Sequence, residues 1–169
     1  VLDPTTLEPV APGVVGELVF TNLTRQGMPL LRYRSRDLAS YDDHPCPCGR
    51  NSRRISPIQG RTDDMIILKG VNIFPIQIDR VLMGRPEVDA NYLVELKQEG
   101  ANETMVVKVE VKQEYFREDL KFLKVLQKQI TDALKSELLV TPRVELVEHH
   151  SLPQGEGKAV RVVDYRVKG

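Results

Sequence analysis

Four short stretches hold the residues that could do chemistry. Tyr33-Arg34-Ser35-Arg36-Asp37-Leu38 sets an acid at the end of an apolar–basic run. A carboxylate there can accept hydrogen bonds from paired hydroxyls such as a ribose diol. Taken alone, a surface Asp37 paired with Arg34 or Arg36 is the commoner outcome. Gly60-Arg61-Thr62-Asp63-Asp64 joins a guanidinium to paired acids. Its planar fork suits a phosphate or a sugar edge. Asp63 lies where the composition changes, as a hinge residue would. An ordinary turn with a local salt bridge fits these residues equally well.

The third stretch is Leu152-Pro153-Gln154-Gly155-Glu156-Gly157-Lys158, one cation on a loop with two glycines. A lysine is a compact, mobile point charge. It suits brief neutralisation of a phosphoryl transition state, although a solvated surface lysine is the commoner case. The fourth is His44-Pro45-Cys46-Pro47-Cys48-Gly49, which offers two or three zinc ligands. Tetrahedral zinc usually takes four, and the chain has no other cysteine. A closed site would need ligands from outside this sequence; the alternative is a pair of free thiols in a loop. One intervening residue leaves poor geometry for a disulfide, so a reducing, cytoplasmic location is expected.

Those residues need a scaffold, and the composition is that of a globular one. Of 169 residues, 41% are apolar and 28% charged, with 24 basic and 24 acidic side chains. A net charge of zero gives no general attraction to nucleic acid or anionic lipid. Any anion must then be met by a local constellation. No apolar run approaches the ~20 residues that span a bilayer, and no signal-peptide pattern opens the chain. Neither nucleic acid nor membrane is an expected partner. Val1 is not Met and the opening residues read as the middle of a loop, so a piece of a longer protein is expected. An interface exposed in such a piece would favour a homodimer.

Strands are expected at Glu17–Thr21, at Leu30–Arg34 (strand or turn) and at Leu38–Tyr41. Residues 42–57 read as loop from their Pro, Cys, Gly, Asn and Ser content, interrupted near Arg54 and Ile55. Met65-Ile66-Ile67-Leu68 reads as a short buried strand. Phe74-Pro75 opens a helix, with proline suited to the first turn, and Ile78, Val81 and Leu82 recur at helical spacing. Tyr92–Leu96 and the alternating Met105–Val111 read as strands. Leu120, Leu123, Leu126, Ile130, Leu134 and Leu138 form a long helical stripe. Val144–Val147 and Val160–Tyr165 complete the set. The fold class is α+β: a β-α-β-β-α-β unit with helices on one face of a small mixed sheet. It should occupy 61–169, with the boundary near Arg61 to Asp64. Residues 1–60 hold strands and no helix. They are too few to bury a core alone and read as the β-rich tail of a larger domain.

In this order and spacing the four stretches resemble the adenylate-forming acyl/aryl-CoA ligases. Tyr-Arg-x-x-Asp, Gly-Arg-x-Asp-Asp and a late Pro-x-x-x-Gly-Lys are that superfamily's C-terminal signature. The segments RYRSRDL, CPCGR, GRTDDMIILKGVNIFPIQID and LPQGEGKAVRV look most like the phenylacetate–CoA ligases, and the resemblance runs from about Gly16 to Arg166. Arg-Ser-Arg-Asp after Tyr33, in place of the Arg-Thr-Gly-Asp common in the wider superfamily, favours the phenylacetate branch. The Ser/Thr/Gly-rich phosphate loop and the carboxylate pocket belong to the family's large N-terminal domain and are not in this sequence.

The resemblance implies two half-reactions. ATP, with its Mg²⁺, and an aryl-acetic acid give an acyl-adenylate and pyrophosphate; coenzyme A then displaces AMP. It implies a C-terminal cap that swings between the steps. It assigns Asp37 to the ribose hydroxyls, Arg61 to the nucleotide, Asp63 to the hinge and Lys158 to the carboxylate and α-phosphate. Lys69 and Gly70 would line the pantetheine tunnel. Cys46 and Cys48 would hold a structural zinc in the intact protein. This piece alone would be inactive. An adenylating ligase with a non-CoA acceptor and a non-catalytic α+β interaction module are the alternatives.

Overall fold

The computed structural model describes residues 1–100, 102–116, 120–153 and 161–166. They form two compact units, Val1–Met65 and Ile66–Gly169.

Unit 1 contains β1 (Gly16–Phe20), β2 (Tyr33–Ala39), β3 (Tyr41–Asp42), β4 (Arg54–Ile55) and β5 (Gly60–Arg61), with no helix among its described residues. β1, β2 and β5 form an antiparallel sheet in that order, and β3 pairs with β4. The sequence suggests two pieces around residues 30–41, but β2 runs unbroken through Ser35-Arg36-Asp37. Asp37 pairs with Arg61 of β5, and the Arg36 carbonyl accepts the Thr62 N–H at 2.8 Å, while Ser35 and Arg36 fall at the irregularity of the β1–β2 pairing. The β1–β2 register shifts between Glu17 and Val19, and Arg36 has φ 70°.

The apolar core of unit 1 is small, limited among its described residues to Leu18, Leu38 and Ala39. Beside them sits a buried acid, Glu17, only 1% exposed. A buried charge must be paired. The Arg34 Nε lies 3.1 Å from both Glu17 carboxylate oxygens, and the Arg36 N–H donates to Oε1 at 3.2 Å. Arg34 therefore serves Glu17 rather than Asp37, and its guanidinium holds the Glu17 carboxyl below the usual carboxylate range.

Unit 2 opens with a hairpin of β6 (Ile66–Leu68) and β7 (Val71–Ile73), followed by helix α1 (Pro75–Met83). β8 (Val88–Glu99), β9 (Asn102–Val111), α2 (Gln113–Phe116), α3 (Leu120–Leu138), β10 (Arg143–Val147) and β11 (Val162–Asp164) complete it. The main sheet has the order β10-β9-β8-β11. β8 and β9 are antiparallel neighbours, while β10 and β11 run parallel to β9 and β8. Parallel neighbours need a long crossover, and α2 and α3 lie in the one joining β9 to β10. The mixed α+β sheet expected from the sequence is present.

Met65–Leu68 is not the uniformly buried strand its composition suggested. Ile66 and Leu68 are buried, but Ile67 is 52% exposed and Met65 39%. A hairpin strand alternates faces, and β7, too short to register as a period in the sequence, supplies the partner.

Pro75 fills the first helical position of α1, and the Phe74 N–H donates to the Gln77 side chain at 2.9 Å, half of a capping box. Ile78 and Leu82 of α1 meet Leu126, Ile130, Leu134 and Leu138 of α3 in one core. Each set recurs every fourth residue, so each forms one helical face. The sheet contributes alternate residues, Tyr92, Val94 and Leu96 with Met105, Val107, Val109 and Val111, so both helices cover one face. Leu120 stands outside this stripe at 73% exposure. On the other face Glu95 is buried between Lys108 at 2.6 Å and Lys97 at 2.7 Å. Among the described residues no helix is long and apolar enough to cross a membrane.

The core assignment has a direct test in urea denaturation. Ile130→Ala, at a fully buried position, should lower the unfolding free energy by about 2–5 kcal/mol. Leu120→Ala should change it by about 0.5 kcal/mol or less.

Candidate functional site

Asp37 and Arg61 are register partners across β2 and β5. That pairing brings together two residues far apart in sequence. The Arg61 Nη1 donates to Asp37 Oδ1 at 2.9 Å and to the Ser35 carbonyl at 3.4 Å. The Nε and Nη2 donate to the two oxygens of Asp63 at 3.0 and 2.9 Å, with Asp64 a further 3.5 Å neighbour of Nε. The bidentate arm is the fork geometry that arginine offers and lysine does not. Arg61 holds the Asp63 carboxyl below its ordinary value, principally through this hydrogen bond. All three acids remain partly open to solvent, with Asp37 the least exposed. A carboxylate has about four lone-pair sites, so Asp37 retains acceptor capacity for a diol.

Lys69 and Gly70 are the two turn residues of the β6–β7 hairpin, with φ 51° and 77°. Positive φ at both positions marks a two-residue primed turn, which favours glycine. The Lys69 N–H donates to Glu103 Oε2 at 2.9 Å, and Arg166 holds Glu103 Oε1 at 2.8 Å. The Arg166 Nη1 also reaches the Ile67 carbonyl at 2.6 Å. The Lys69 N–H first, and Arg166 second, lower the Glu103 pKa. Beside the turn a groove of about 450 Å³ is lined by Leu68, Lys69, Glu103, Thr104, Val140 and Arg143, among others. Glu103 and Arg166 escaped sequence reasoning, because their partners lie 34 and 63 residues away.

Lys158, Gly155 and Gly157 lie outside the described residues. The chain on either side of them is well anchored. Glu110, 1% exposed, accepts the Leu152 N–H at 2.8 Å, the His150 N–H at 3.2 Å and the Asn91 amide at 3.2 Å. On the far side Arg161 pairs with Asp79 and lies over the Tyr92 ring at 4.8 Å. Its carbonyl accepts the Val94 N–H at 2.8 Å. Both anchors are in unit 2.

Cys46 and Cys48 face each other with their Sγ atoms 2.9 Å apart, and both are free thiols. The Cys48 thiol, by hydrogen bonding, pulls the Cys46 thiol below its ordinary pKa. His44 turns instead to Asp42, which raises the imidazole pKa. Two groups of three possible metal ligands occur among the described residues, Asp42-Asp43-His44 and Glu110-His149-His150, and neither includes a cysteine. Two thiols alone fall two short of the four ligands that a closed zinc site takes.

Residues 70–166 match the AMP-binding enzyme C-terminal domain family. A phenylacetate-coenzyme A ligase of Thermus thermophilus is 41% identical over 98% of this chain, and the chain spans 40% of that relative's length. A crystal structure of 2-hydroxyisobutyryl-CoA ligase, in the postadenylation state in complex with R3-HIB-AMP, superposes with a TM-score of 0.85 at 30% identity. The match covers 98% of this chain and 35% of that one. A domain of phenylacetate-coenzyme A ligase from Bacteroides vulgatus is 50% identical, covering 62% of this chain and 94% of its own, with a TM-score of 0.57.

Arg61→Gln removes the cation from between the acids. The Asp63 carboxyl should then titrate at a higher pH, back toward the ordinary aspartate value of about 3.9. Side-chain ¹³C shifts followed through an NMR pH titration read this directly. An Asp63 midpoint unmoved by the substitution would show that Arg61 does not hold it.

Proposed function

The chain belongs to the AMP-binding enzyme C-terminal domain family, within the phenylacetate–CoA ligases, and from that premise we propose that it is the C-terminal part of an ATP-dependent acid–thiol ligase. The reaction joins an aryl-acetic acid, with phenylacetate the leading substrate, to coenzyme A through an acyl-adenylate. The carrying observation is the Asp37–Arg61 register pair, which sets a diol acceptor beside a guanidinium on adjacent strands. Residues 1–60 and 61–169 are then the tail of the nucleotide-binding domain and the cap.

In the first step a carboxylate oxygen attacks the α-phosphorus of ATP. The bond to the bridging oxygen breaks, and pyrophosphate leaves with the electron pair. Asp37 accepts hydrogen bonds from the ribose hydroxyls and Arg61 faces the nucleotide. Lys158 neutralises the charge gathering between the carboxylate and the α-phosphate. In the second step the coenzyme A sulfur attacks the acyl carbon, the carbon–oxygen bond to phosphate breaks, and AMP leaves. A cation between the two reacting groups would now obstruct the thiol. Rotation about Asp63 withdraws Lys158, and the Lys69–Gly70 turn with its groove lines the path of the pantetheine arm. The rigid hold of Glu103 and Arg166 on that turn suits this duty. Zinc at Cys46 and Cys48 would draw its remaining ligands from outside this sequence.

Two measurements on the intact ligase test the reading. Phenylacetate should drive exchange of pyrophosphate into ATP without coenzyme A, and acyl-CoA should form once it is added. Absence of phenylacetate-dependent exchange would overturn the substrate. Lys158→Ala should cost roughly 10²–10³-fold in the exchange reaction and spare the reaction of preformed acyl-adenylate with coenzyme A. Equal losses in both would refute its role.

A further inference from the structure

His149 and His150 follow β10 after Glu148, and their rings sit 3.6 Å apart between centroids, tilted by 43°. Below them lies the Glu110 carboxylate, buried from solvent. One ligand atom from each of Glu110, His149 and His150 falls within 4.8 Å of the others. Asp89 closes the arrangement, its carboxylate held against the Nδ1 of His149. None of these residues has a part in the adenylation chemistry above.

The chemistry of the set is specific. Imidazole nitrogens with a carboxylate oxygen are the donors that zinc and its first-row neighbours prefer over hard oxygen-seeking cations. A carboxylate on one nitrogen of a histidine fixes the tautomer and leaves the other nitrogen with its lone pair toward the metal. Asp89 is placed to do this for His149. Glu110 is oriented in turn by the N–H groups of His150 and Leu152 and the Asn91 amide. Those donors take only part of its lone-pair capacity. Ligand atoms of a tetrahedral zinc stand about 3.3 Å apart, given bonds of about 2.0–2.1 Å, so the cluster must tighten slightly. His150 is exposed and the His149 side chain is 33% exposed, so the site opens to solvent on one side. The competing trio, Asp42-Asp43-His44, has no buried member, and its histidine faces an acid that is itself one of the three.

We propose that Glu110, His149 and His150 form a binding site for a divalent first-row metal such as zinc, with Asp89 orienting His149. The site is separate from Cys46 and Cys48 and lies wholly in unit 2.

Calorimetric titration of the full chain with zinc chloride tests it, after removal of any affinity tag and with Cys46→Ser and Cys48→Ser in place to silence the thiols. One equivalent should bind. His149→Ala with His150→Ala should abolish binding, and the milder Asp89→Asn should weaken it about 10–100-fold, the usual effect of losing an orienting partner. Circular dichroism checks that each variant is folded. Cobalt in place of zinc should give ligand-field bands that vanish in the double histidine variant. Absence of stoichiometric binding in the cysteine-free chain overturns the proposal, as does binding that survives removal of both histidines.

Discussion

One guanidinium organises the chemistry-bearing part of unit 1. Arg61 spends its donors on Asp37, Asp63 and the Ser35 carbonyl, with Asp64 nearby. Three acids crowded together would repel one another without it. With it, the strand carrying Asp37 and the turn carrying Asp63 share a single fastening. Lysine would not reproduce it, because an ammonium lacks the rigid planar fork of five donors that holds Asp63 with two bonds while reaching Asp37. The Asp37 carboxylate is thereby held in place, so an acceptor at this position needs little further ordering on binding a partner.

Unit 2 follows a different constraint. Its core is apolar and lies on one face of the sheet. Its buried acids, Glu95 and Glu110, are on the other and are answered one by one. Glu95 is met by lysines and Glu110 by N–H groups from the chain just before the Lys158 segment. Arg161, stacked on Tyr92, fixes the chain just after it. Polar contacts thus fix the chain on both sides of that segment to unit 2.

The sequence was legible where physics is local. Pro75 at the first helical position and the fourfold recurrence from Leu126 to Leu138 led directly to two helices. The motif residues Asp37 and Arg61 were singled out, and the fold joined them across a strand pair. Long-range polar partners were not legible. Arg166 sits 99 residues from Ile67 and Glu110 sits 42 from Leu152, and no periodicity links them. Nor was the β6–β7 hairpin, because two three-residue strands carry too few alternations to separate from a buried apolar run. The unbroken β2 was missed because the polar Ser35-Arg36-Asp37 stretch lies between the residues that pair with β1, and of those three only Asp37 has a register partner, in β5.

Nucleotide affinity in a double-mutant cycle tests the central role of the Arg61 fastening most directly. AMP binding would be measured on the intact ligase, on Asp37→Asn, on Arg61→Gln and on the double variant. If the two side chains act as one preorganised pair, each single change weakens binding by roughly tenfold or more, and the double change costs clearly less than the product of the two. Undiminished AMP affinity in both single variants would contradict the account.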